Sequence, residues 1–345
     1  MVIVFKCATQ FYNNFSNYHF TNSYNMKRIL LLTGLLLAVC VNVMAQRDAR
    51  YTQYMFNQQM LNPGYTGSSE GLSFTGIGRL QWVGIEGSPK SIGISAHSPL
   101  GKQKKFGLGA YIAHDKIGVH NQTSAYASYA YKFIIGESRL AIGLQGGIDY
   151  LRSDFTQVTG NEEIDITIDN AFADNQRNLL PNFGLGLYFY KPNSYYLGVS
   201  APHLLNNNLR SDNGIETLAR QYRHYYAMGG VVIGSNDFKV RPSFLIKTVP
   251  TQAPIQLDAS LMFLVKEVLW LGASYRTAFG NKDPFAQSES IDAIIAFQFP
   301  KGLKVGYAYD YTLSKLNNFT SGSHEVMIGL DIKGRTDRFI TPRYF

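Results

Sequence analysis

The sequence predicts an all-β protein, a closed transmembrane barrel of the outer-membrane type with about 14 antiparallel strands. The first observation is the strict alternation of apolar and polar residues in runs of about ten, which is typical of strands with one apolar face. In the clearest run, Leu140, Ile142 and Leu144 share one face, with Arg139 and Gln145 on the other. Many such strands cannot bury their apolar faces as a soluble sandwich without a second layer of chain. A barrel in a lipid bilayer satisfies both faces.

The composition is the second observation. Only 16% of the 345 residues are charged, against about 25% in soluble domains. Aromatic residues reach 14%, with 23 Tyr and 22 Phe, and these residues favour strands and form the interfacial girdles of outer-membrane barrels. The composition therefore favours a membrane barrel over an ordinary tyrosine-rich β protein.

The lengths of the connections are the third observation. Every second connection is a short turn, whereas the others include the two longest, 153–181 and 203–221; the short loop near Pro250 departs from this rule. This alternation is typical of barrels with short periplasmic turns and long surface loops, and it predicts both termini in the periplasm. The predicted strands are 71–80, 90–98, 105–113, 122–134, 139–152, 182–191, 194–202, 222–234, 238–249, 254–266, 268–279, 288–299, 301–312 and 323–333.

An export signal precedes the barrel. Met26-Lys27-Arg28, an apolar run to Val43 and the small residue Ala45 together read as a secretory signal peptide. We expect cleavage after Ala45 and a natural start at Met26, because residues 1–25 make poor sense before such a signal. A lipid-modified Cys40 is the alternative, and the bulky Val39 disfavours it. Residues 1–45 hold both cysteines and three of the eight excess positive charges, so the exported chain has no cysteine and no strong basic character.

The segments that flank the barrel (71–333) are candidate contact regions. Residues 46–70 contain Tyr54, Met55 and Phe56 outside any predicted strand. Aromatic residues at that density indicate either a periplasmic docking segment or a plug that fills the lumen. The tail 334–345 combines basic and aromatic residues, which suits an acidic partner or barrel assembly.

Motifs for enzymatic chemistry are missing from the sequence. His114 and Asp115 form a possible dyad, but adjacent residues of a strand point to opposite faces. The acidic loop 153–181 matches no calcium-loop spacing, and the histidines, including His203 and His224, are expected to be solvated near strand ends. We therefore predict no catalytic site, cofactor or metal, and the dispersed charge gives no reason to expect nucleic-acid binding.

A series of short motifs resembles one known family. They are Gln53–Asn57, Leu61–Gly67, Arg79–Gly84, Gly87–Lys90, Asp115–Gly118, Ala125–Tyr131, Gly198–His203, Gly306–Asp310 and Gly322–Glu325. In this order they resemble the PorP/SprF family of type IX secretion system membrane proteins, along essentially all of the mature chain. One departure is Gly64, where alanine is common in the family.

The resemblance implies a non-enzymatic outer-membrane barrel of the type IX secretion and gliding machinery of Bacteroidota. It implies contact with the periplasmic ring and a peptidoglycan-binding partner, and in some members export or anchoring of a large surface adhesin. The candidate contact residues are Tyr54, Met55, Phe56, Asn57, Asn62, Pro63, Arg79, Trp82, Arg338, Phe339, Tyr344 and Phe345. Trp82 is expected at the outer rim, as a girdle aromatic or, with Arg79, as an anchor for a surface partner.

The rival hypothesis is a porin or transporter for small solutes. A lumen of about 14 strands is wide enough for a channel or a plug. Charged residues predicted to face the lumen could line such a channel or brace a closed core by pairing. They are Arg139, Lys239, Arg241, Asp258, Lys304 and Asp310.

Overall fold

Strands dominate the computed structural model, which describes residues 50–154, 176–210, 216–235, 237–250, 253–279 and 288–332. In these ranges the only helices are short 3-10 turns, and none is long and apolar enough to cross a membrane. The predicted signal peptide, most of the acidic loop and the C-terminal tail lie outside the described residues.

Seventeen strands are present in the described chain. They are β1 Leu72–Leu80, β2 Lys90–Leu100, β3 Phe106–Ile117, β4 His120–Ile135, β5 Ser138–Ser153, β6 Gln176–Lys191, β7 Tyr195–His203, β8 Asn207–Arg210, β9 Glu216–Gln221, β10 His224–Val231, β11 Ile233–Gly234, β12 Phe238–Val249, β13 Ala253–Val265, β14 Leu269–Phe279, β15 Ser288–Gln298, β16 Leu303–Thr312 and β17 Ser323–Ile332. The 3-10 helices are Tyr54–Phe56, Gln58–Met60, Pro63–Tyr65 and Lys315–Asn318.

The sheet closes on itself as an antiparallel barrel. Strands that follow one another around the wall pair side by side, and β1 pairs with β17 from Leu72↔Ile332 to Leu80↔His324. Strand β10 pairs with β7 on one side and β12 on the other, and β11 continues it along β12 after Val232. Because β8 and β9 form a separate hairpin, the wall contains 14 strand passes, and the predicted fold is confirmed.

The strand boundaries differ from the predicted ones. The connection expected at 114–121 shrinks to Gly118 and Val119, because β3 and β4 pair as far as Ile117↔His120. Strands β5 and β6 likewise pair as far as Ser153↔Gln176. The alternation of apolar residues ends where the bilayer would end, but backbone groups beyond it still need hydrogen-bond partners, so the ladders continue.

The two ends of the barrel differ in their connections. One end, the short-turn end, carries the connections 101–105, 136–137, 192–194, 235–237, 266–268 and 299–302. The other, the long-connection end, carries 81–89, 154–175, 204–223, 280–287 and 313–322, together with two tight connections at 118–119 and 250–252.

The outer wall is an apolar band. Outward side chains at mid-strand are aliphatic or aromatic and exposed, such as Ile94 (59%) and its cross-strand partner Ile112 (61%). Alternate residues point inward and are mostly polar, for example Ser95 and His97 on β2. This arrangement is inside-out relative to a soluble protein and matches a barrel whose outer face contacts lipid.

An Ile94→Arg substitution tests the lipid contact. Because Ile94 lies at the middle of β2, an arginine there should lower the free energy of unfolding in lipid by about 2–4 kcal/mol. The matched variant is Leu100→Arg, on the same outward face at the last position of β2, where the cost should be only about 0–1 kcal/mol. Urea unfolding in vesicles measures both, and equal costs would contradict a membrane-embedded band.

Candidate functional site: a plugged lumen

The N-terminal segment 50–70, called the plug below, occupies the lumen. Its three 3-10 helices carry mostly buried side chains. Their hydrogen bonds reach inward residues of strands that lie far apart around the wall. Ser95 of β2 donates to Asn57 (2.8 Å), Gln59 donates to Ser128 of β4 (2.6 Å), and Tyr188 of β6 donates to Gln58 (2.9 Å). A segment that contacts so many walls of a closed barrel must lie inside it.

Arg79 fastens the first residues of the plug to the wall. Its side chain is 3% exposed, and its guanidinium pairs with Asp310 (2.5 Å) and Glu325 (3.1 Å). It also donates to the hydroxyl of Thr52 (2.7 Å), which in turn donates to Asp310 (2.8 Å). The backbone N–H groups of Thr52 and Gln53 donate to the two carboxylate oxygens of Glu325, at 2.8 and 2.7 Å. Charge-assisted bonds of this kind are the strong class.

Arg276 extends this network across the next strands. Its guanidinium lies 2.8 Å from Asp258, 3.6 Å from Asp310 and 3.8 Å from Asp292. Arg50, at the start of the described plug, pairs with Glu289. The set, called the ion cluster below, comprises Arg50, Arg79, Arg276, Asp258, Glu289, Asp292, Asp310 and Glu325. The cluster ties the plug to the wall, because it joins the plug residues Arg50 and Thr52 to charges from six strands, β1 and β13 to β17.

An aromatic cage holds the next part of the plug. The buried guanidinium of Arg241 lies 4.6 Å from the ring centroid of Trp270 and 5.1 Å from that of Phe56. The two rings meet edge to face at 6.1 Å. A desolvated cation–π contact of this type contributes about 2 kcal/mol, so Phe56 of the plug is fixed between two wall residues.

Asn62 anchors the third 3-10 helix by both ends of its amide. Its side-chain oxygen accepts the backbone N–H of Gly64 (2.8 Å), which caps the helix, and Pro63 follows at the first position. Its amide nitrogen donates to the backbone carbonyl of Leu187 on β6 (3.0 Å). One side chain therefore shapes the turn and ties it to the wall.

An Asn62→Ala substitution should loosen this turn without disturbing the barrel. Losing the cap and the wall hydrogen bond should cost about 1–3 kcal/mol locally. Hydrogen exchange at the amides of residues 62 and 64–66 should become markedly faster. The control is Asn317→Ala in the exposed connection 313–322, and unchanged protection in Asn62→Ala would contradict the anchoring role.

Glycines in the wall make room for the plug backbone. A Cβ at Gly107 or Gly143 would lie well under 3.0 Å from backbone atoms of Thr66 or of Pro63 and Gly64. Gly186 and Gly306 face the side chains of Asn62 and Gln53 in the same way. The inner surface is therefore shaped to the plug, as expected of a permanent seat.

The last residues of the plug are held at the short-turn end. The ammonium of Lys132, 1% exposed, donates to the carbonyl of Gly67. The N–H of Gly67 donates to His97 (3.1 Å), and Lys104 donates to the carbonyl of Glu70 (2.8 Å). The buried carbonyl of Gly67 thereby has a hydrogen-bond partner, as buried backbone groups require.

The β8–β9 hairpin covers part of the inner wall near the long-connection end. Leu209 packs against Leu151 and Leu180 of β5 and β6. Gln221 donates to the buried carboxylate of Asp149 (2.7 Å) and accepts from Asn182 (3.2 Å). Part of the loop that was expected to be a free surface loop thus folds inward.

The structure places most of the predicted contact residues in the plug and two others, Arg79 and Trp82, on or beside β1. Tyr54, Met55, Phe56, Asn57, Asn62 and Pro63 lie in the plug, all buried except Phe56, which is partly exposed. Arg79 points into the lumen toward Asp310 and Glu325, and not to the surface position that the alternative role as an anchor requires. Trp82 is half-buried in connection 81–89 with a positive φ of 51°. Its backbone N–H donates to the hydroxyl of Ser323 (3.1 Å). Arg338, Phe339, Tyr344 and Phe345 lie outside the described residues.

The inward faces of the strands show which other side chains predicted from the sequence are buried. The interior placement of Lys239, Arg241 and Asp310 is confirmed. His203 and His224 were expected to be solvated, but both are buried. The members of the ion cluster that were not singled out are Arg50, Arg276, Glu289, Asp292 and Glu325, and their only sequence signal is an inward position in the alternation or a place in the plug.

The possible catalytic dyad does not form. His114 faces outward and lies 2.9 Å from Thr123, whereas Asp115 faces inward and accepts from Ser91. In the described ranges no cluster of His, Cys, Asp and Glu has a geometry that could hold a metal ion.

Fold and site together define a membrane β-barrel with a built-in plug. The chain belongs to the PorP/SprF family, described as the type IX secretion system membrane protein PorP/SprF, whose pattern matches residues 43–330. No curated protein matches it.

Solved structures with a similar fold are channels. The CymD monoaromatic hydrocarbon channel has a TM-score of 0.50 and 12% identity, over 85% of this chain and 95% of that one. The Ralstonia pickettii toluene transporter TbuX has a TM-score of 0.49 and 10% identity, over 83% and 95%. At such identities the likeness to CymD shows the barrel fold alone.

Proposed function

We propose that this protein is a non-enzymatic outer-membrane component of the type IX secretion and gliding machinery. It supports the export or surface anchoring of a partner adhesin and contacts the periplasmic ring. The observation that carries the proposal is the plug, which is fixed in the lumen by the ion cluster, the aromatic cage and the wall glycines. A barrel that is filled and braced in this way suits a scaffold for partner proteins better than a passage for solutes.

The periplasmic contact is assigned to the short-turn end, because short turns of outer-membrane barrels face the periplasm. Lys102, Lys266 and Lys301 are exposed there. Lys191, hydrogen-bonded to Glu137, lowers the pKa of that carboxyl and keeps it charged. The excess of basic groups suits an acidic surface on a ring component or a peptidoglycan-binding partner. The tail 334–345, which follows β17, would add Arg338, Phe339, Tyr344 and Phe345 at this end.

The adhesin contact is assigned to the long-connection end. Loops 153–181 and 203–221 are the candidate regions, and the exposed Phe319 lies in the neighbouring connection 313–322. An exported adhesin emerges on the outer side of the membrane, so the surface that anchors it is assigned to this end.

Two measurements separate this function from a porin. Deleting the gene should remove a type IX adhesin from the cell surface, and the wild-type gene should restore it. The purified protein should give no large, steady single-channel current in planar bilayers. Normal adhesin display together with large steady currents would instead establish a porin or transporter.

A further inference from the structure

The plug crosses the lumen lengthwise. Its last residue, Glu70, meets Lys104 in the turn between β2 and β3, at the short-turn end. Its first described residue, Arg50, pairs with Glu289, the second residue of β15. Strand β15 begins directly after connection 280–287, so Arg50 lies at the long-connection end.

The contacts between these two points follow the same direction. Thr52 bonds Asp310 two residues before β16 ends at the long-connection end. Asn57 meets Ser95 at the middle of β2. Asn62 then bonds Leu187, four residues before β6 ends at the short-turn end. The wall partners of the first described residues therefore lie toward the long-connection end and those of the last toward the short-turn end. Between them the descent is uneven, because Phe56 already meets Arg241 and Trp270 near the short-turn starts of β12 and β14.

The position of Arg50 is firmly held. Its partner Glu289 also accepts from Gln256 of β13 (3.1 Å), and the Arg50 side chain keeps 23% of its surface exposed. Asp258, close by on β13, contributes a further negative charge on this side. Arg50 is thus partly exposed and lies among acidic residues of the wall, so the plug reaches the mouth of the barrel at this residue.

We propose that Arg50, at which the described plug begins, lies at the long-connection mouth and that this end of the plug is reached from outside the cell. The plug amounts to one further crossing of the membrane, which replaces the expectation that both termini lie in the periplasm. A protein that binds this end of the mature chain would then be an extracellular or exported polypeptide, not a periplasmic ring component. The inference rests on the path of the plug and on the assignment of long connections to the cell exterior.

Single-cysteine labelling tests the proposal. The only cysteines, Cys7 and Cys40, precede residue 46, so a background with both changed to serine is free of thiols. Asp48→Cys is compared with Glu86→Cys, exposed in connection 81–89, and Lys301→Cys, exposed in the turn 299–302. The reagent is a polyethylene-glycol maleimide that is too large to cross the outer membrane.

On intact cells, Asp48→Cys should be labelled to the same extent as Glu86→Cys, whereas Lys301→Cys should need permeabilisation. Labelling of Asp48→Cys only after permeabilisation would place this end in the periplasm and overturn the proposal. Labelling only after unfolding would show that the residue is enclosed in the lumen, which overturns it equally. The outcome is independent of the proposed function, because a porin with the same plug path would give the same labelling.

Discussion

A Gly107→Ala/Gly143→Ala double variant is expected to displace residues 63–66 of the plug and to conduct ions in planar bilayers, where the wild type should give no steady current. Each added methyl group would overlap backbone atoms of the plug, at Thr66 and at Pro63 with Gly64. Backbone held on both sides by hydrogen bonds cannot yield as a flexible side chain can. Overpacking typically costs 1–3 kcal/mol at each site, so the two changes together should outweigh much of the local anchoring.

The matched control is a Gly76→Ala/Gly78→Ala double variant on β1. A Cβ at Gly76 has its nearest neighbour at 3.9 Å, and one at Gly78 has none within 4 Å. Both double variants should keep heat-modifiable barrel migration on gels, since the wall ladders are unchanged. A Gly107→Ala/Gly143→Ala barrel that migrates normally and stays closed would show that the wall glycines do not seat the plug.

Arg79→Ala should produce the largest loss of stability from a single substitution. It leaves Asp310 and Glu325 buried with one partner fewer, and Arg276, 3.6 Å from Asp310, is then the cation that the described residues still place beside them. Removing one partner of a buried ion pair costs about 3–5 kcal/mol. The urea midpoint in lipid vesicles should therefore fall strongly, and residues 50–53 should lose hydrogen-exchange protection.

Arg152→Ala is the control for this prediction. Arg152 pairs with Asp154 at 3.1 Å, but its side chain is 47% exposed. An exposed pair contributes about 0–1 kcal/mol, so the midpoint should hardly move. Equal effects of Arg79→Ala and Arg152→Ala would mean that the ion cluster does not hold the plug.

Together these variants distinguish a plug that is bonded to the wall from one that only occupies the lumen. The ion cluster lies toward the long-connection end, whereas the cage around Arg241 and the seat around Asn62 lie closer to the short-turn end. Each joins the plug to different strands. Loss of one should loosen its own section of plug before the whole segment leaves, and hydrogen exchange resolved along residues 50–70 would follow that order.

Much of the fold could be read from the sequence because strand alternation is a local property. Whether Ile142 and Gln145 point to opposite faces depends only on the two-residue period of a strand. The number of strands and the inward positions of Arg241 and Asp310 followed from counting that period. The ends of β3 and β4 could not be read in this way, because polar residues continue the ladder after the apolar signal has stopped.

The site required the closed structure. Arg79 and Glu325 are 246 positions apart in the chain, and they meet because closure pairs β1 with β17. The plug carries no alternation, so the sequence left open whether Tyr54 and Phe56 dock a partner or fill the lumen. The burial of His203 and His224 likewise depends on segments distant in the chain, because the His203 ring meets Tyr126 of β4 on one side and His224 of β10 on another.

By itself the sequence determined a barrel of 14 strand passes with an apolar exterior, because apolar and polar residues alternate along each strand and so define its two faces. Only the tertiary structure decided that the lumen is filled, which charges pair across it, and that Arg50 lies at the long-connection end. The physical reason is that these contacts join segments distant in the chain, and their geometry exists only once the last strand has closed on the first.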